Sequence, residues 1–163
     1  PSYRLALQVG QLYQKDLTEL DAESLMYCWL LLDVEQPTFG SSRALLVPDR
    51  SHGEVPVASS FQLRVLGAFS RHVLKGMKRV ESESGDGDLL TAAFTNGTKS
   101  SLIVMNRSTE AKRLNVEWNG PKWTRMEKTS FYSENVEQAV PGEVVVQPGE
   151  IVTLSNFSAD GAK

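Results

Sequence analysis

Leu5, Val9, Leu12, Tyr13, Leu17 and Leu20 recur through residues 3–20 at steps of three and four, with Gln8, Gln11, Gln14 and Lys15 between them. That spacing predicts an amphipathic helix with one apolar stripe. Residues 24–32 break the rhythm. They form an apolar run without alternation, holding Tyr27, Cys28 and Trp29 and closing on Leu30, Leu31 and Leu32. The run is too short for a stand-alone helix. Its pattern predicts a strand buried on both faces, as in a parallel sheet covered by helices.

Residues 33–58 have no period and contain Pro37, Gly40, Pro48, Gly53 and Pro56. They predict a long loop, with a short hairpin around 41–47. Loops of this length in compact domains usually carry function. Ser59 and Gln62 have the separation of a capping box with Ser59 as the N-cap. Phe61, Val65, Ala68, Phe69 and Val73 then share one face of a second helix. Leu74, Lys75 and Gly76 predict its end, a basic residue followed by a glycine able to turn left-handed. The face bearing Phe61, Val65, Phe69 and Val73 is expected to meet the buried strand. The side with Leu66 and Leu74 is expected to meet the chain beyond residue 76.

From Met77 the helical period gives way to short alternating segments. Strands are expected at 77–82, 89–95, 100–106, 113–118, 123–130, 143–146 and 151–155. Asn96-Gly97 is a hairpin signal. Asn119-Gly120-Pro121 breaks the chain between Trp118 and Trp123, and Pro148-Gly149 suits a type II turn. Strands spaced this way predict an antiparallel β-sandwich. The expected division is 1–76, a helix, strand, loop and helix, and 77–163, the sandwich. One buried strand cannot make a sheet by itself. The first part therefore needs parallel neighbours from elsewhere. The opening at Pro1, with neither Met nor a signal peptide, points the same way.

Composition narrows the function classes. A net charge of −3 with scattered Lys and Arg leaves no basic footprint for nucleic acid. No stretch approaches the ~20 apolar residues of a membrane span. Cys28 is the single cysteine, so no intrachain disulfide forms. Cys28, His52 and His72 are too far apart for zinc spacing. Neither a metal nor a cofactor is expected.

Several segments resemble one known arrangement. The stretch from Phe61 through Gly67-Ala68-Phe69-Ser70 to Arg79-Val80 resembles the run from the last barrel helix into the sandwich of clan-A glycoside hydrolases. Leu90 to Gly97 with Ser101 to Ser108 is similar to a hairpin of those sandwiches, and Val146 to Leu154 to their closing strand. The family 30 type, with its glucosylceramidase and xylanase relatives, is nearest; family 39 and 51 types come next. Lys75 stands where the pattern has proline. The resemblance implies a fold class of α/β plus all-β: the C-terminal strand and helix portion of a (β/α)8 barrel, then an antiparallel β-sandwich. It implies a secreted, periplasmic or lysosomal-like enzyme whose partners are carbohydrate and its own N-terminal remainder.

The resemblance also carries an absence. In clan A the acid/base and the nucleophile are glutamates ending strands four and seven, which would both precede Pro1. Retaining hydrolysis needs two carboxyls about 5 Å apart across one bond. No catalytic residue is therefore expected within this chain.

The candidate site residues are substrate-binding ones. The families place an aromatic near the end of the eighth strand as a floor for the sugar, a role that falls on Trp29. Asp33 and Glu35 come directly after that strand, and barrel active sites lie at the C-terminal ends of strands. Trp118 and Trp123 flank a turn, either as a carbohydrate platform or as cross-strand packing. His72 reads as a structural histidine near the junction, and His52 as a loop residue within reach of substrate. Asp86-Gly87-Asp88 offers fewer oxygens than a calcium loop needs and reads as a solvated turn. Asn96, Asn106 and Asn156 head glycosylation sequons. The leading expectation is the C-terminal segment of a glycoside hydrolase, with loop 33–58 bordering the sugar site. The alternatives are a non-catalytic carbohydrate-binding sandwich and a structural spacer.

Overall fold

The computed structural model describes residues 3–27, 30, 44–48, 57–133 and 135–159. Two helices pack on one face of a six-stranded antiparallel sheet, and a two-stranded sheet lies against the other. Helix α1 spans Tyr3–Thr18 and α2 spans Phe61–Ser70. Strands β1 (Leu46–Pro48) and β2 (Val57–Ser59) pair with each other. The large sheet has the order β3-β4-β5-β10-β7-β8. Its strands are β3 (Lys78–Val80), β4 (Leu89–Thr95), β5 (Ser100–Asn106), β10 (Ile151–Ser155), β7 (Arg125–Thr129) and β8 (Val136–Ala139). The small sheet pairs β6 (Lys112–Leu114) with β9 (Val144–Val146).

The period of two along β5 builds both cores. Ile103 and Met105 point to the helices, where they meet Ala6, Tyr13, Val65 and Phe69. Leu102 and Val104 point the other way and meet Met126, Val144, Val146 and Val152. Successive strand side chains alternate between faces. A strand covered on both sides must therefore be apolar throughout its middle, and every residue of β5 and β10 is buried.

Three of the expected strands, 89–95, 100–106 and 151–155, have the observed bounds. The others are shorter, and β8 is not among the expected ones: Val136 and Glu137 alternate weakly, and Val136 is exposed. Such an edge strand carries little hydrophobic signal. The hairpin of the long loop pairs 46–48 with 57–59 rather than folding within 41–47.

Both helices depart from expectation in detail. The buried stripe of α1 is Ala6, Gly10 and Tyr13, with Leu7, Val9 and Leu17 at its margins. Leu12 is 59% exposed and Leu20 68% exposed, so small residues, not the largest apolar ones, mark the stripe. The N-cap of α2 is Ser60, whose Oγ accepts from the Leu63 amide at 3.3 Å. That leaves Gln62 inside the helix and fully buried. The helix ends at Ser70, with Arg71 as the C-cap. Gly76 is left-handed (φ 85°) but serves the turn after the helix. The Val65 and Phe69 face of α2 lies against the sheet and α1, and Leu66 packs at the edge of the same core.

Of the strand expected at 24–32, residues 24–27 and 30 are described, and none is in regular structure. Every strand pair among the described residues is antiparallel. The Leu46 amide of β1 donates to the Leu30 carbonyl at 2.7 Å, and residues 28, 29, 31 and 32 of the expected strand lie outside the described residues. Tyr27 meets Tyr13 edge-on at 6.4 Å, while Met26 is 98% exposed.

Candidate functional site

The aromatic pair from the second half of the chain stands at the mouth of a cleft. Trp118 and Trp123 stack at 5.2 Å between ring centroids and 24° between planes. The turn between them is tight. The Trp118 indole N–H donates to the Pro121 carbonyl at 3.0 Å, and a Cβ on Gly120 would collide with the Trp118 ring. Trp123 reaches inward to the core beneath the small sheet. Its buried indole nitrogen has no hydrogen-bond partner among the described residues.

The cleft has a volume of about 500 Å³. Its floor is Leu89, Ala93, Leu102 and Val104, on the face of β4 and β5 that is turned toward the small sheet. Its rim carries Glu81, Glu83, Asp86, Arg113 and Glu117. Arg113 is engaged by Glu143 at 2.6 Å, and Asp86 by Lys112 at 2.8 Å. The Lys112 ammonium, with the Asp88 amide, holds the Asp86 carboxyl below the usual carboxylate range. The cleft falls within the size range of small-ligand sites, with polar and apolar groups sharing its lining.

A second polar cluster lies where α2 meets the sheet. Glu127 on β7 is buried, with Oε2 3.2 Å from His72 Nε2 and 3.2 Å from the Arg71 guanidinium. Its Oε1 accepts from the Asn135 amide at 2.9 Å, and that amide also reaches the Arg64 carbonyl at 3.1 Å. Burial pushes the Glu127 carboxyl up. His72, Asn135 and Arg71 outweigh it and hold the group below its ordinary value. The 3.2 Å approach of His72 is a close contact without hydrogen-bond alignment. This cluster lies beneath the surface and ties elements together. His72 accordingly sits at the junction of helix and sheet, where its carbonyl accepts from Ser101 at 2.8 Å.

Trp29, Asp33 and Glu35, with Cys28 and His52, lie outside the described residues. The Asp86-Gly87-Asp88 turn is committed to ion pairs with Lys112 and Arg107. Of the sequons, Asn106 is buried, its amide nitrogen donating to the Glu110 and Val146 carbonyls. Asn156 donates to the Thr98 carbonyl. Asn96 uses its carbonyl oxygen to close the hairpin, accepting from the Thr98 and Lys99 amides. Sequence reasoning misses the Glu127 cluster, because Glu127 sits in an ordinary Arg-Met-Glu-Lys-Thr strand. It also misses the rim carboxylates, because nothing in the sequence brings 81–86 beside 117.

No family model and no curated protein matches this chain. Solved structures do. A conserved exported protein from Bacteroides fragilis matches with a TM-score of 0.76 at 15% identity, over 94% of this chain and 33% of its own. The glycoside hydrolase family 30 subfamily 8 xylanase of Clostridium acetobutylicum matches with 0.73 at 13% identity, over 94% of this chain and 39% of its own. The catalytic domain of the family 30 xylanase C of Talaromyces cellulolyticus matches with 0.76 at 13% identity, over 94% and 35%. At such identities the likeness establishes the fold. The chain spans about a third to two-fifths of the length of each of these three structures.

Proposed function

We propose that this chain is the C-terminal segment of a family-30-like glycoside hydrolase, with residues 1–76 completing a (β/α)8 barrel and residues 77–163 forming the sandwich that braces it. The observation that carries the reading is the likeness of fold over 94% of the chain to xylanases of which it spans 35–39%.

The chemistry follows from the division of labour. Both catalytic glutamates lie upstream. This chain supplies Trp29 as an aromatic floor for the sugar ring, and Asp33 and Glu35 as acceptors for its hydroxyls, with loop 33–58 along the border of the site. The substrate is a polysaccharide or glycoconjugate. The exported character of the Bacteroides fragilis protein favours action outside the cytoplasm. Among the described residues no helix is long and apolar enough to cross a membrane.

The test is to express this chain alone and with the segment encoded before Pro1, and to assay both on xylan and a panel of aryl glycosides. The longer enzyme should turn over and the 163-residue chain should not. Turnover by the short chain, lost on Asp33→Ala or Glu35→Ala, would overturn the assignment. So would the lack of any glutamate-bearing barrel upstream.

A further inference from the structure

We infer that the cleft beside Trp118 and Trp123 is a saccharide site that prefers sugars bearing a positive charge and rejects those bearing a negative one. Its choice of a saccharide rests on the proposed glycosidase function; its geometry and charge do not.

The cleft has three properties that together define a ligand. It is apolar below, with Leu89, Leu102 and Val104 on its floor. It is aromatic at one side, where stacked Trp118 and Trp123 both line it. It is negative above. Glu81, Glu83 and Glu117 line the rim and have no ion pair or hydrogen bond among the described residues. The other two charged rim groups, Arg113 and Asp86, are each neutralised by a partner outside the cleft's lining, Glu143 and Lys112. The uncompensated rim charge is thus three carboxylates.

A pyranose ring has an apolar C–H face and a hydroxyl edge. The face suits an indole, and the edge can donate to carboxylates. An ammonium on the ring would meet the carboxylates and the aromatic faces together, a pairing that favours cations. A uronic acid would bring like charge to a rim already negative. The tight Asn119-Gly120-Pro121 turn holds the Trp118 ring in place before any ligand arrives, since Gly120 leaves room for the ring that a Cβ would take. Preorganisation of this kind lowers the ordering cost of binding.

Three probes separate the possibilities by tryptophan fluorescence titration: xylotetraose, the fully deacetylated glucosamine tetramer at mildly acidic pH, and tetragalacturonate. The glucosamine tetramer should bind about tenfold tighter than xylotetraose, a difference of about 1.4 kcal/mol, and added salt should erode the difference. Tetragalacturonate should not bind. Trp118→Ala should abolish binding. The triple change Glu81→Gln, Glu83→Gln and Glu117→Gln alters only rim side chains without partners among the described residues. It should remove the preference for the glucosamine tetramer and the salt dependence of that preference while leaving the circular dichroism spectrum unchanged, which keeps the test decisive if the tryptophan variant fails to fold. Flat titrations with all three probes, equal binding of tetragalacturonate, or displacement of the sugar by tetramethylammonium at equal concentration would each overturn the assignment. Hydrolysis by the longer enzyme with flat titrations here would sink this site and spare the enzymatic reading. Binding here with no hydrolysis there would do the reverse.

Discussion

The Tyr3 hydroxyl donates to the Gly149 carbonyl at 2.7 Å across 146 residues of sequence. It joins the first turn of α1 to the turn that precedes β10, and that turn is itself held by the Gly149 amide bonding to the Asn106 carbonyl at 2.9 Å. The Tyr3 ring packs edge-on against Phe61 at 5.5 Å, so the same residue also touches the start of α2. Helices and sheet therefore share one anchoring point.

Tyr3→Phe keeps the ring contacts and removes the hydroxyl bond. The loss should cost about 1 kcal/mol. Urea unfolding followed by far-ultraviolet circular dichroism and by tryptophan fluorescence should show both signals shifting together. A helical signal that melts first, with the fluorescence midpoint unmoved, would show that α1 is only loosely attached.

Gly10 lies where α1, α2 and β5 converge. A Cβ placed there would sit 2.7 Å from both Met105 Cε and Val65 Cγ1. Alanine normally gains about 1 kcal/mol over glycine within a helix. Overpacking a filled core costs about 1–3 kcal/mol, and Val65, stiff and fully buried, has no room to retreat. Gly10→Ala should lower the melting temperature, whereas Gly85→Ala, with open space around it, should not. A rise on Gly10→Ala would mean that the helix stands further from the sheet.

Phe69 is buried among Tyr13, Ile103 and Met105, with its ring 5.8 Å from that of Tyr13. Phe69→Ala should cost about 3–5 kcal/mol. Because its neighbours belong to α1 and the sheet alike, calorimetry should show one transition moving as a whole. Two transitions, with one unmoved, would show that the sandwich unfolds independently of the helices and would favour the binding-module alternative.

Glu127 sets an acid limit. Its carboxyl is held below its ordinary value of 4.5 in the folded protein. The folded state therefore binds this proton less readily than the unfolded chain. The contribution is complete above about 4.5 and is lost as pH falls through the lower folded value. Melting temperature should fall on acidification below that point. Glu127→Gln should flatten that limb while lowering stability at neutral pH, since the Arg71 guanidinium loses its buried counter-charge. An unchanged acid limb in the variant would assign the effect to other carboxylates.

Legibility from sequence tracks the strength of the local pattern. β4, β5 and β10 are readable because they are long and apolar, and their bounding turns carry Asn96-Gly97 and Pro148-Gly149. β8 is not, because an exposed edge strand needs no apolar face. The stripe of α1 is displaced from its expected line because Ala6 and Gly10 bury themselves through close approach rather than through apolar bulk. Large residues such as Leu12 are free to face outward. The tryptophan pair is legible as two residues beside a turn, but its stacking and the carboxylates above it depend on the approach of 81–86 to 117. That approach is a tertiary event, written in the pairing of β4 with β5 and of β6 with β9 rather than in any local spacing.

β10 lies between β5 and β7 in the sheet, yet comes after both in the chain. As the ribosome releases the polypeptide, β3, β4 and β5 can form one ribbon, and β7 with β8 another. Each ribbon then presents a bare edge of unpaired amides and carbonyls, the kind of edge that recruits foreign strands. Only residues 151–155 fill the gap, with five backbone partners on each side. A nascent chain stalled before this strand is therefore a pair of sticky half-sheets, and the interval before β10 emerges is the one in which a chaperone has something to hold.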